Sequence, residues 1–186
     1  MFLAIHMETL FDSPTLAARI EQLATTIAED YSTRPPVFIG ILNGAVQFMM
    51  ALIGAFPSGF AETAQYDFVN VSSYDGHTSR GSVEIGRRSA VEIADRDVII
   101  VDGIVDTGLS LNQLLLQLQM EDPRSVKVCV LLNKPARRSH AVEIHYQGFE
   151  IDDHFVVGFG MDYNQHFRCL PQVAVFEQPG KRESRE

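Results

Sequence analysis

The chain has no tryptophan and only two cysteines, Cys129 and Cys169. Two cysteines make neither a disulfide framework nor a metal cluster, and a reducing, cytoplasmic setting is expected. No apolar run approaches the roughly 20 residues that cross a bilayer; the longest, 48–56, falls far short, and no membrane partner is expected. The start, MFLAIHMETLF, lacks a basic head and a small-residue cleavage site, so no signal peptide is expected. Basic residues are the minority, 15 Lys+Arg against 24 Asp+Glu, a formal net charge of −9. Nucleic-acid binding leans on net positive charge, so no nucleic-acid partner is expected. A small anionic ligand needs only a local site and stays open. Repeats, low-complexity blocks and Pro/Gly/Ser linkers are also missing. What remains is a globular composition, 46% hydrophobic and 21% charged over 186 residues. That length suits a single domain, 1–186.

Helical spacing of Leu16, Ile20, Leu23 and Ile27 predicts a first helix, with Ser13 as N-cap and Pro14 in its first turn. The apolar run 37–42 reads as a strand buried on both faces. Asn43-Gly44 is turn chemistry, and 46–53 reads as a helix. Residues 60–74 read as one or two strands, 75–81 as a polar, glycine-flanked mobile loop, and 83–85 and 98–101 as further strands. A helix follows over 109–120, with Leu111, Leu114, Leu115 and Leu118 on one face. Residues 126–132 form another strand, and short strands and turns fill the chain from Ile144 onward. Buried strands alternating with amphipathic helices predict an α/β fold with a mostly parallel central sheet flanked by helices. Ligands of such a sheet sit beyond the carboxyl ends of its strands.

The most informative segment is Val98-Ile-Ile-Val-Asp-Gly-Ile-Val-Asp-Thr-Gly-Leu-Ser-Leu111. It reads as a buried strand, a loop with two carboxylates, and Thr107-Gly108-Leu109-Ser110 opening a helix. A helix start offers unpaired N–H groups and the positive end of the dipole. Two hydroxyls and a close-approach glycine complete a phosphate cradle. It is not a Walker loop, because no Gly-Lys-Ser/Thr follows. Asp102 and Asp106 would repel a bare phosphate. They suit a ligand that also carries hydroxyls, a metal, or a positive charge developing in the transition state. A phosphorylated sugar reacting through a cationic ring meets all three conditions. The competing reading is an ordinary helix cap by Asp102 or Thr107.

This segment resembles the phosphoribosyl-pyrophosphate signature of type I phosphoribosyltransferases. Lys127-Val-Cys-Val-Leu-Leu-Asn-Lys134 and the stretch 148–168, with Phe155-Val-Val-Gly-Phe159, resemble the purine-binding half of the hypoxanthine-guanine phosphoribosyltransferases. Ile41-Leu-Asn-Gly44 resembles that family's pyrophosphate loop, and Ser72-Ser-Tyr74 the start of its closing loop. The resemblance implies a small hood over the sheet, formed by 1–12 and 144–176; separately, the polar end 180–186 reads as a disordered tail.

It also implies roles. Asp106 would act as general base or charge stabiliser beside the purine imidazole and would border the 5′-phosphate. That phosphate would be held by Thr107, Gly108, Leu109 and Ser110. Asp102 would take ribose hydroxyls and a magnesium ion, which Asp162 would also contact, directly or through water. Leu42, Asn43, Gly44 and Arg168 would bind pyrophosphate. Lys134, Phe155, Val156 and Asp162 would line the purine site, with Lys134 donating to the six-position oxygen. Ser73 and Tyr74 would close over the reaction.

The implied reaction moves a 5-phosphoribosyl group from phosphoribosyl pyrophosphate to hypoxanthine or guanine, with Mg2+, in a homodimer or homotetramer. Alternatives are a xanthine-preferring enzyme or a catalytically weakened nucleotide-binding regulator. The latter is suggested by Gly103, which stands where the family usually has a second acidic residue. Its absence is expected to weaken donor binding, and Gly103→Asp to restore it. None of the six histidines sits at metal-ligand spacing, and only His77, in the polar loop, is a functional candidate. Cys129 reads as core. Arg87-Arg88 and Arg137-Arg138 read as solvated or at a subunit interface.

Overall fold

The computed structural model describes residues 7–73, 83–86 and 91–177. Tyr74, the polar loop with His77, Arg87-Arg88 and the tail 180–186 lie outside these residues, as do residues 1–6 of the expected hood segment. In chain order the elements are β1 (Met7–Phe11), α1 (Ser13–Asp30), β2 (Val37–Leu42), α2 (Val46–Gly54), α3 (Ser58–Ala61), β3 (Gln65–Ser73) and β4 (Val83–Ile85). They continue with β5 (Asp97–Val105), α4 (Leu109–Gln119), β6 (Ser125–Asn133), β7 (Tyr146–Glu150), β8 (Val156–Val157) and β9 (Val173–Phe176).

The central sheet has the order β4-β3-β2-β5-β6-β7. Its five strands from β3 to β7 run parallel, and β4 adds antiparallel to β3. Strand alternation divides the core cleanly. Phe38, Ile99, Val101, Cys129 and Leu131 face α1 and α2. Val37, Ile39, Ile41, Ile100, Val128 and Val130 face Leu111, Leu114 and Leu118 of α4. Both faces are thus covered, which is why β2 and the first half of β5 read as unbroken apolar runs. A separate antiparallel sheet, β1-β9-β8, sits apart from the parallel one.

The expected mostly parallel sheet flanked by helices is therefore present, and four local readings change. Asp12, not Ser13, caps α1: its Oδ1 accepts the Thr15 N–H at 2.9 Å. The Ser13 hydroxyl donates instead to the Pro171 carbonyl at 2.9 Å. Phe60 belongs to the short α3 and packs edge-on against Phe38 and Phe56, so the third strand begins only at Gln65. Asp102 lies within β5 and not in a loop. The segment 144–176 divides, because β7 pairs with β6 in the parallel sheet while only β8 and β9 join β1. Among the described residues, no helix is long and apolar enough to cross a membrane.

Candidate active site at the carboxyl ends of the strands

Two strand ends and two loops meet beyond the parallel sheet. Strand β5 carries Asp102 opposite Val130 of β6. No described side chain pairs with Asp102. Burial strips its carboxyl of hydration and pushes its pKa up to about 7, although the N–H groups of Gly103 and Ile104 favour the charged form. Such a site suits a carboxylate whose charge is compensated by something it binds.

This carries a test. A carboxyl whose pKa rises from 3.8 to about 7 on folding holds its proton better in the folded state. Folding is then favoured fully below about pH 4, and that advantage is lost progressively up to about pH 7. Without divalent cations, Asp102→Asn should leave the melting temperature nearly unchanged at pH 4 and raise it at pH 8. The gain has an upper bound of about 4 kcal/mol, at roughly 1.4 kcal/mol per pKa unit. A thermal melt series with pH-independent differences would contradict this.

Beyond β5 the chain turns through Asp106 and Thr107 into α4. Gly108 adopts φ +83°, and a Cβ there would lie 2.7 Å from the His140 carbonyl oxygen. Both the conformation and the space demand glycine. The Thr107 carbonyl accepts the N–H groups of Ser139 and His140 at 3.1 and 3.0 Å, which pins the turn. The Thr107 hydroxyl reaches the Leu109 N–H only at 3.4 Å, and no side chain caps α4 at its N-cap, Gly108. The first N–H groups of α4, around Leu109 and Ser110, therefore remain available for an anion. Neither Asp102 nor Thr107 acts as a good cap.

Strand β6 ends on buried Asn133, and buried Lys134 follows it. Asn133 donates to Gln147 Oε1 at 2.8 Å and accepts from Arg138 Nη2 at 2.6 Å. Lys134 is only 4% exposed. A buried lysine requires a partner, and Lys134 Nζ lies 3.1 Å from Asp153 Oδ1. The hydrogen bond from Lys134 holds the Asp153 carboxyl below its ordinary range, and Arg137 adds to the effect. Arg137 Nε approaches the same Asp153 oxygen at 3.8 Å, and its Nη1 lies 3.4 Å from Asp106 Oδ2. Asp106 Oδ1 is buried without a hydrogen-bond partner among the described residues. Arg138 Nε donates to the Asp106 carbonyl at 3.0 Å. Arg137 is half exposed, as a solvated residue would be, and in addition both arginines contact Asp106.

The third part is the turn after β2, with a cis peptide between Leu42 and Asn43. The Gly44 carbonyl is wedged between two other glycines. A Cβ on Gly103 would lie 2.8 Å from the Gly44 oxygen, and one on Gly160 would lie 2.2 Å from it. Gly103 therefore has a steric reason independent of any missing charge. Gly160 belongs to a loop with left-handed conformations at Phe159, Asn164, Gln165 and Phe167. Arg168 anchors that loop: Nη1 donates to the Gly160 carbonyl at 2.7 Å, and Nη2 meets Asp162 Oδ1 at 2.7 Å. Asp162 Oδ2 accepts the Gln165 N–H at 2.8 Å. Gln47 of α2 donates to the Arg168 carbonyl at 2.5 Å, tying this loop to the helix that follows the Gly44 turn.

Phe155 stands 40% exposed, edge-on to Tyr163 at 5.9 Å between ring centres. Val156 is buried in β8 beside Val175. Ser73 ends β3, while Tyr74 lies outside the described residues. Among the described residues no cluster of three or more His, Cys, Asp or Glu could hold a metal ion by itself. Cys129 is buried core, as expected, and burial raises its thiol pKa. Sequence reasoning missed Arg137, Arg138, Asp153 and Gln47. The first two stand within four residues of Lys134, and that proximity was the available signal.

A parallel sheet with a helix-start anion cradle at one strand end and a second small sheet beside it is the architecture of a phosphoribosyltransferase. The family model described as the phosphoribosyl transferase domain matches residues 6–164, and the chain belongs to that family. It is 38% identical over 158 residues to the hypoxanthine-guanine phosphoribosyltransferase of Staphylococcus epidermidis, covering 84% of this chain and 86% of that one. It is 34% identical over 170 residues to the hypoxanthine-guanine-xanthine phosphoribosyltransferase of Tritrichomonas foetus, covering 91% of each. The crystal structure of a hypoxanthine-guanine phosphoribosyltransferase from Bacillus anthracis superposes with a TM-score of 0.84 at 32% identity, covering 94% of this chain and all of that one.

Proposed function

We propose that the chain transfers the 5-phosphoribosyl group of phosphoribosyl pyrophosphate to hypoxanthine or guanine, giving IMP or GMP and pyrophosphate, in purine salvage. The observation that carries this is the convergence of a buried lysine with the carboxylate beside an uncapped helix start. Lys134 and Asp106 are linked through Asp153 and Arg137.

A ring nitrogen of the purine attacks C1 of the ribose as the bond from C1 to pyrophosphate breaks. Asp106 takes or stabilises the proton on the imidazole part of the base. Lys134 donates to the oxygen at the six-position, and adenine, with an amino group there, would leave that lysine unpaired. Phe155 stacks on the purine and Val156 meets its edge. The N–H groups and hydroxyls of 107–110 hold the 5′-phosphate. The turn 42–44 and Arg168 hold pyrophosphate, for which a guanidinium fork is suited. By the family resemblance, Ser73 and Tyr74 would shield the reaction from water, which would otherwise capture a cationic sugar.

Magnesium fits these residues. It takes one or two carboxylates, keeps waters and binds phosphates, so it needs no three-residue cage. Asp102, whose ionisation burial opposes, would hold the ion beside the ribose hydroxyls, and the ion would supply the charge that burial withholds. Asp162, whose oxygens meet Arg168 and the Gln165 N–H, would contact the ion directly or through its waters. When bound, magnesium neutralises charge on the departing pyrophosphate. The reading includes a cytoplasmic setting and an assembly of two or four copies, which sedimentation velocity would read.

The packing around Gly44 supports a different outcome for Gly103. Gly103→Ala should already displace the 42–44 turn and raise the dissociation constant for phosphoribosyl pyrophosphate by about tenfold, since overpacking costs roughly 1–3 kcal/mol. Gly103→Asp should be no better than Gly103→Ala. Calorimetric titration across a magnesium series decides this; restored affinity in the Asp variant would mean that charge, not space, governs the position.

The functional test is product identity. Hypoxanthine and phosphoribosyl pyrophosphate should yield IMP and pyrophosphate in equal amounts by phosphorus NMR. Pyrophosphate without IMP, or no reaction, would overturn the assignment. The Tritrichomonas foetus relative, named for xanthine as well, favours xanthine as a third substrate to include.

A further inference from the structure

We propose that Arg137 is a positioning residue for Asp106: its guanidinium bridges Asp106 and Asp153 and locks the proton-handling carboxylate to the arm that holds Lys134. The inference rests on the proposed transferase reading and deepens it.

The local chain explains how Arg137 gets there. Pro135–Arg137 forms a single 3-10 turn directly after Lys134. The Lys134 N–H is itself held by the Val105 carbonyl at 3.0 Å, one residue before Asp106. The turn swings Arg137 back across the strand ends toward Asp106. There Nη1 lies 3.4 Å from Asp106 Oδ2, and Nε lies 3.8 Å from Asp153 Oδ1. That Asp153 oxygen also takes Lys134 Nζ at 3.1 Å, so one carboxylate oxygen serves two cations. A guanidinium presents donors in two directions from one rigid plane, which an ammonium does not.

Asp106 needs such a partner. Its Oδ1 is buried with no hydrogen-bond partner among the described residues, so nothing on that side fixes the carboxylate plane. Arg138 hydrogen-bonds its backbone, through the carbonyl at 3.0 Å, and meets the carboxylate only through the attraction of its charge. Among the described residues, the side-chain ion pair to Asp106 comes from Arg137. The pair is half exposed, with side chains 50% and 39% accessible, so it contributes little to folding. A misplaced reacting group, by contrast, costs rate steeply. Through the shared Asp153, the group that reads the six-position oxygen and the group that handles the proton move as one unit.

The test is a double-mutant cycle of Arg137→Gln with Asp106→Asn, supported by Arg137→Lys. In the parent, Arg137→Gln should lower kcat by about tenfold or more, with KM for base and donor changed less than about threefold. Arg137→Lys should recover part of the loss. In the Asp106→Asn background, Arg137→Gln should change kcat by less than about twofold, because its target is already gone. Melting temperatures should match throughout. Equal fold-losses on both backgrounds, a parent kcat that does not fall, or a loss confined to the donor KM would overturn the proposal. A parent that turns over no purine would sink the functional reading and this inference with it. Equal losses in an active parent would sink the inference alone.

Discussion

Asp106→Asn should lower kcat for hypoxanthine by about a hundred- to ten-thousandfold, the usual range for a positioned acid–base group. Donor affinity should change by less than about threefold, because phosphate contacts come chiefly from backbone N–H groups at the start of α4. The two effects separate because Asp106 stands after the end of β5, between the phosphate cradle and the ion pairs that lead to Lys134. Asn keeps the shape while giving up the charge that Arg137 pairs with, and the pair is half exposed, so the fold should hold. Pre-steady-state product formation alongside donor titration measures both quantities. A kcat within about threefold of the parent would remove Asp106 from the chemistry, since such groups supply far more.

Lys134→Ala should reduce kcat/KM for hypoxanthine and guanine by roughly ten- to hundredfold, the worth of a hydrogen bond to a charged group. Discrimination against adenine should narrow at the same time, because nothing then prefers an acceptor at the six-position. The stability cost should be modest despite the lysine's burial. Its partner Asp153 is 55% exposed and keeps Arg137 nearby, so no buried charge is stranded. Donor binding should stay within about threefold, consistent with contacts elsewhere. Equal losses for base and donor would instead indicate a collapsed strand end.

The parts of this molecule legible in its sequence are those where burial is two-sided or periodic. Val37–Leu42 and the first half of Asp97–Val105 announce themselves because both sheet faces are covered. Helix α1 is visible from Leu16, Ile20, Leu23 and Ile27. Its cap was displaced by one residue because Asp12 and Ser13 are both good caps, and a distant carbonyl, Pro171, claims the serine. Phe60 reads as strand from its aromatic, apolar character alone, and a four-residue helix is too short to show a helical period that would say otherwise. The cradle of 107–110 follows from local chemistry, whereas Lys134 and Phe155 were read only through family resemblance. Arg137 was hidden for a different reason. Its partners Asp106 and Asp153 are brought to it by the crossover from β5 to β6 and by the loop after β7. No local pattern encodes that meeting. In sequence Gly103 shows only a missing charge, because the carbonyl it accommodates belongs to Gly44, far along the chain.

The most direct measurement is turnover of hypoxanthine, guanine, xanthine and adenine with phosphoribosyl pyrophosphate, with and without magnesium. The expected result is rapid conversion of hypoxanthine and guanine, dependence on magnesium, and adenine slower by at least about a hundredfold, as a lysine built to donate to an oxygen would impose. Adenine used as well as hypoxanthine, or no nucleotide formed from any base, would contradict the account.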